Sequence, residues 1–176
     1  MHMTSTSASE RIRKHCRQRG KESMWKKIKF TILGNPNGKG RPRFSTNTGR
    51  AYTPKKTTMY ENLVRIEYGI QCNNFRFDDD AMLDMRILAF YEIPKSTSKK
   101  KRNLMLSGML RPTKKPDMDN VVKIIADSLN KVAYRDDTQI VDCQCRKFYS
   151  DTPRVEVIIA QYGIEPQQTE RKGMNA

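Results

Sequence analysis

From Met82 to Ile93 the chain alternates, with Leu83, Met85, Ile87, Ala89 and Tyr91 at every second position. A run of that length with a period of two predicts a strand carrying one apolar face, and that face needs a covering layer. A second alternation lies between Trp25 and Gly34, where Ile28, Phe30 and Ile32 are interleaved with Lys27, Lys29 and Thr31. It predicts another half-buried strand. Gly34–Phe44 is too rich in Gly and Pro for regular structure, and a hairpin turning at Asn47-Thr48-Gly49 is expected after it.

Helical spacing appears between and after these strands. Thr53-Pro54 is suited to open a helix, and Met59, Leu63, Ile66 and Ile70 then fall on one stripe. A short basic helix is expected behind the serines of Ser96–Arg102. Another begins near Asp119, with Val121, Ile125, Ser128, Leu129 and Val132 on its apolar side. Closing strands are expected near Gln139–Phe148 and Arg154–Tyr162. This order predicts an α+β domain with a mixed sheet and helices mainly on one face. The 176 residues suffice for one domain, placed at 24–163. Residues 1–23, Ser/Thr-rich and then basic, are expected to form a mobile tail, and 164–176 a second one.

Lys and Arg number 34 against 19 acids, a net charge of +15. Such an excess points to a polyanionic partner, a property shared by nucleic-acid-binding and membrane-surface proteins. No apolar run approaches the ~20 residues of a membrane span and no signal-peptide pattern opens the chain, so a cytoplasmic location is expected. Cys16, Cys72, Cys143 and Cys145 lack zinc spacing. Cys143 and Cys145 are expected as small core residues on one strand face. The only histidines, His2 and His15, lie in the N-terminal tail. Hydrolytic chemistry in the folded part must therefore use carboxylates, lysine and metal.

The acids that could do so are in Lys115-Pro116-Asp117-Met118-Asp119-Asn120-Val121-Val122-Lys123 and Asp136-Asp137-Thr138-Gln139. On extended chain Asp117 and Asp119 point the same way, and Lys123 lies one helical turn after Asp119. Carboxylates on one or two segments, with a substrate phosphate, suit a hard cation such as Mg²⁺. Plainer roles exist for each group. Asp119 could cap the helix, Asp136-Asp137 could be a solvated turn, and Lys123 could pair with Asp119 or Asp127. Asp78-Asp79-Asp80 is expected to be a polar turn.

These motifs closely resemble the RusA family of Holliday-junction resolvases, whose pattern is K-P-D-x-D-N-x-x-K followed by D-D-x-Q-[IV]. The likeness extends to Gly38–Phe44, to Tyr52-Thr53-Pro54 and to the basic run Lys95–Arg102. It implies a homodimeric, Mg²⁺-dependent endonuclease (Mn²⁺ as a substitute) that nicks two strands of a four-way junction, leaving 5′-phosphate and 3′-hydroxyl ends. The family's three essential carboxylates and one lysine map onto Asp117, Asp119, Asp137 and Lys123, with the carboxylates as metal ligands. Asp137 is favoured over Asp136, which would only shape the turn.

Two basic segments are the expected DNA surface: Lys39, Arg41 and Arg43 on the Gly-rich loop, and Lys99, Lys100, Lys101 and Arg102. Lys114 and Lys115 flank the acids. With few aromatics interleaved, phosphate and shape recognition is expected over base stacking. Other readings are a nuclease acting on flaps or forks, a non-catalytic nucleic-acid-binding module, and a D-x-D enzyme transferring a nucleotidyl or glycosyl group. The last lacks any phosphate-binding loop or dinucleotide fingerprint in the sequence.

Overall fold

The computed structural model describes residues 26–46 and 49–162. Both expected tails, the two histidines, Cys16 and Trp25 lie outside the described residues, as do Asn47 and Thr48 of the expected hairpin turn. The elements in order are β1 (Lys27–Leu33), β2 (Arg43–Ser45), β3 (Arg50–Tyr52), α1 (Lys55–Cys72), β4 (Leu83–Glu92), α2 (Lys99–Leu106), α3 (Met118–Leu129), a 3₁₀ turn (Asp137–Gln139), β5 (Ile140–Ser150) and β6 (Arg154–Gln161). Four strands make a mixed sheet in the order β1-β6-β4-β5, and β2 and β3 pair separately as a hairpin. Only β4 and β5 run parallel; β6 is antiparallel to both of its neighbours. The domain has the expected α+β class.

The alternation in β4 is what sets the sheet's two sides. Leu83, Met85, Ile87, Ala89 and Tyr91 are all buried, and they join Phe30 and Ile32 of β1, Val155, Val157 and Ile159 of β6, and the apolar sides of α1 and α3 in one core. Val121, Ile125, Ser128 and Leu129 of α3 have no exposed surface, as the helical spacing predicts. The Ser128 hydroxyl, buried with them, donates to the Ile124 carbonyl at 2.5 Å, so no polar hydrogen is left unmatched there.

Helix α1 forms where expected but turns a different side inward. Thr57, Tyr60, Val64 and Tyr68 are buried, whereas Met59, Ile66 and Ile70 are exposed and only Leu63 of the expected stripe packs against the core. Tyrosine is the reason. Tyr60, Val64 and Tyr68 recur every fourth residue, and two phenol rings bury more area than the competing aliphatics. The Tyr68 ring meets Phe30 edge-on at 5.3 Å and its hydroxyl donates to the Phe75 carbonyl. With its tip satisfied in this way, the Tyr68 ring buries without leaving a polar group unmatched.

The opposite face of the sheet carries a row of cations and rings. Arg154 lies 3.9 Å from the Phe90 centroid, Phe90 stacks on Phe148 at 5.6 Å, and Arg111 lies 4.3 Å from Phe148. The segment after α2 crosses from this side towards the core side, where Lys114 sits 5.7 Å from both the Tyr91 and Tyr149 rings. That crossing delivers the chain to the start of α3.

Candidate active site

Pro116 is followed by Asp117 in extended backbone (φ −68°, ψ 154°), and α3 starts at Met118. Asp117 thus takes the N-cap position, two residues before the Asp119 considered for that role. Its carboxylate makes no capping hydrogen bond. Asp119, in the first turn, receives only a 3.4 Å contact from Asn120 Nδ2. Both carboxylates are exposed and uncommitted to holding the helix end.

Several groups fix the chain just before them. The Lys147 ammonium donates to the Lys114 carbonyl at 2.6 Å and to the Pro116 carbonyl at 3.1 Å, and the Tyr91 hydroxyl donates to the same Pro116 oxygen at 3.3 Å. Sequence reasoning missed Lys147. The available signal was a lysine at an inward position of β5, in phase with Cys143, Cys145 and Tyr149, where the pattern otherwise asks for an uncharged side chain. From the other side the Gly-rich loop docks. Lys39 N–H donates to the Asn120 carbonyl at 2.8 Å. At Gly38 a Cβ would lie 2.7 Å from Pro116 Cβ and 3.0 Å from Asn120 Cβ. That glycine lets the loop touch the segment bearing the acids, a closer reason for it than approach to phosphate.

Asp137 arrives from the 3₁₀ turn. Asp136 shapes that turn, its Oδ1 accepting the Thr138 N–H at 3.1 Å. This bond to the backbone N–H of Thr138 holds the Asp136 carboxyl below its ordinary range. Gln139 locks the turn to the rest of the domain: its amide donates to the Asp78 and Ala81 carbonyls at 2.9 and 3.0 Å, and its Oε1 accepts from Arg135 N–H at 2.9 Å. The Asp78–Asp80 stretch is a polar turn paired with Arg76 and Lys26.

Two clefts open around the start of α3. One, of about 610 Å³, is lined by Asp119, Lys123, Asp127 and Asp137 together with Cys143 and Cys145. The other, of about 920 Å³, is lined by the Gly-rich loop, Lys56, Lys115, Asp117 and Asn120. The structure therefore brings Asp119, Lys123 and Asp137 to one cleft and sets Asp117 at the edge of its neighbour. Among the described residues no three acidic, Cys or His side chains gather closely enough to hold a metal by themselves. Cys143 is a correction, being exposed on the cleft wall, whereas Cys145 is half-buried and packs against the core as expected. Desolvation pushes both thiols up, Cys145 to about 11.

Lys39 departs from the expectation of a free phosphate ligand. Its ammonium lies 2.5 Å from Glu61 Oε1 of α1 and 2.9 Å from Asp127 Oδ2 of α3, and only about a quarter of the side chain is exposed. Arg41 and Arg43 are exposed beside it, as are Lys99, Lys100 and Lys101 on α2 and Lys114 and Lys115. Arg102 is paired with Asp151 at 2.5 Å.

The family model for the RusA endodeoxyribonucleases matches residues 34–160. The chain belongs to the RusA endodeoxyribonuclease family. It is similar to the uncharacterized protein YqaN of Bacillus subtilis (strain 168), 39% identical over 138 residues that make up 76% of this chain and 96% of that protein. The matched residues run from the Gly-rich loop through both acidic segments to β6 and include both clefts. No helix among the described residues is long and apolar enough to cross a membrane.

Proposed function

We propose that this RusA-family chain is a Mg²⁺-dependent nuclease that resolves four-way DNA junctions by paired nicks, acting as a homodimer. The observation that carries the reading is the shared cleft of Asp119, Lys123 and Asp137, with Asp117 two residues upstream on the same segment. Its donors suit the metal, because carboxylate oxygens are the hard ligands that Mg²⁺ takes. Asp119 and Asp137 would hold the ion, with Asp117 as third carboxylate. One or two carboxylates plus a substrate phosphate are a usual Mg²⁺ shell, so a preformed three-acid cage is not required. When bound, Mg²⁺ supplies Lewis acidity at the scissile phosphate. Lys123 contacts a non-bridging phosphate oxygen and meets the charge that grows there during in-line attack. Arg41, Arg43 and Lys115 hold the flanking backbone, and the two-fold symmetry of a dimer presents two such sites to two strands.

The test is cleavage of labelled four-way junction, fork, flap and linear duplex, with Mg²⁺, with Mn²⁺ and with EDTA, alongside light scattering of the protein on junction DNA. The expected result is Mg²⁺-dependent paired nicking of the junction by a dimer. Preference for forks or flaps would change the substrate, and metal-independent binding without any cut would leave a binding module only.

The basic run on α2 positions DNA and does no chemistry. Replacing Lys99, Lys100, Lys101 and Arg102 by alanine should weaken junction binding and flatten its salt dependence by about 0.9 log units per lost phosphate contact. Cleavage at saturating protein should remain near the wild-type rate. Binding titrations at several salt concentrations, paired with single-turnover rates, check both parts.

A further inference from the structure

Asp119, Lys123 and Asp127 follow one another at four-residue spacing on α3, so the Lys123 ammonium has a carboxylate one turn away on either side. Left alone, Asp127 would compete with the substrate phosphate for that lysine. It is already engaged. Its Oδ2 is 2.9 Å from the Lys39 ammonium, which also lies 2.5 Å from Glu61 Oε1. Among the described residues Lys123 makes no ion pair, although both neighbouring acids are within reach along the helix.

We propose that Lys39 is a positioning residue for DNA cleavage: by holding Asp127 in a Lys39–Glu61–Asp127 cluster, it keeps Lys123 free for the scissile phosphate. The inference rests on the reading of Lys123 given above. The loop is seated by its backbone, through the Lys39 N–H to Asn120 bond and the close approach of Gly38 to Pro116. The side chain is therefore free to serve as a charge delivered between two helices. Burial works against the Lys39 ammonium, but its bonds to Glu61 and Asp127 outweigh burial and hold it charged. The cluster joins three separate elements, the loop, α1 and α3, at the far end of the row that leads to the acids.

The test compares Lys39→Met, Lys39→Met with Asp127→Asn, and Lys39→Met with Glu61→Gln. A fully exposed pair at this spacing shifts such a balance by about two-fold. Asp127 is better covered, so Lys39→Met should slow the single-turnover cut at saturating junction by about five-fold, with junction affinity and its salt dependence little changed. Asp127→Asn should restore the rate, because it removes the competing carboxylate, and Glu61→Gln should not. A readout that needs no cleavage is the acylation rate of Lys123 by an amine-reactive ester, followed by mass spectrometry. It should fall in Lys39→Met and recover only with Asp127→Asn. If Lys39→Met does not accumulate folded, Lys39→Gln, which keeps a hydrogen-bond donor, takes its place.

Equal rescue by both second changes, or rescue by neither, would overturn the proposal and leave Lys39 a structural staple. Weakened binding with a flatter salt slope and a normal saturated rate would make Lys39 a phosphate contact. A wild-type protein that cuts no branched DNA would defeat the functional reading instead, while the acylation comparison would still decide whether Lys39 shields Lys123 from Asp127.

Discussion

Asp117→Asn or Asp119→Asn will lower the rate of junction cleavage by about 10³ or more, ~4 kcal/mol of transition-state stabilisation, while junction binding stays close to wild type. Both substitutions keep the size of the side chain and remove only its charge. Neither carboxylate makes a capping bond whose loss would loosen α3, so the effect should fall on the reaction and spare the fold. No histidine lies among the described residues to substitute as a ligand. The measurement is a single-turnover rate at saturating protein, with binding measured in Ca²⁺, which accepts carboxylate ligands in a looser geometry than Mg²⁺. A variant that still cuts at the wild-type rate would remove that aspartate from the centre.

Lys123→Ala should lose about 10² in the same rate, ~2.7 kcal/mol, with nearly normal affinity. The lysine is exposed in the cleft, makes no ion pair among the described residues, and so has no structural partner to strand. Its contribution is expected in the transition state, where the phosphate gains charge, and not in ground-state binding, to which the many other lysines and arginines contribute. Poor binding with a full rate at saturation would make it an ordinary backbone contact.

Much of the scaffold was legible from local pattern. The period of two in β4 and the helical spacing of Val121, Ile125, Ser128 and Leu129 each have one physical solution, and the structure adopts it. Strand order was not legible, because pairing β1 with β6 depends on the whole chain. The side of α1 that faces inward was misjudged where tyrosines competed with aliphatics. At the site, the acids and Lys123 stand out because their spacing is local. Their supports do not: Lys147, Tyr91 and the Glu61–Lys39–Asp127 cluster are joined across tens of residues, and a lysine that holds acids looks in sequence like one that holds DNA.

The position of β6 between β1 and β4 also bears on the order in which the sheet can assemble. As the chain leaves the ribosome, β4 can meet β5 and both acidic segments are already synthesised. Yet among the described residues β1, the first strand, pairs with β6 alone, and β6 is complete only when Gln161 has emerged. Contacts that span almost the whole described chain form slowly and late. Until then the apolar side of β1 and much of that of β4 lack the strand that lies between them, so the sheet closes late.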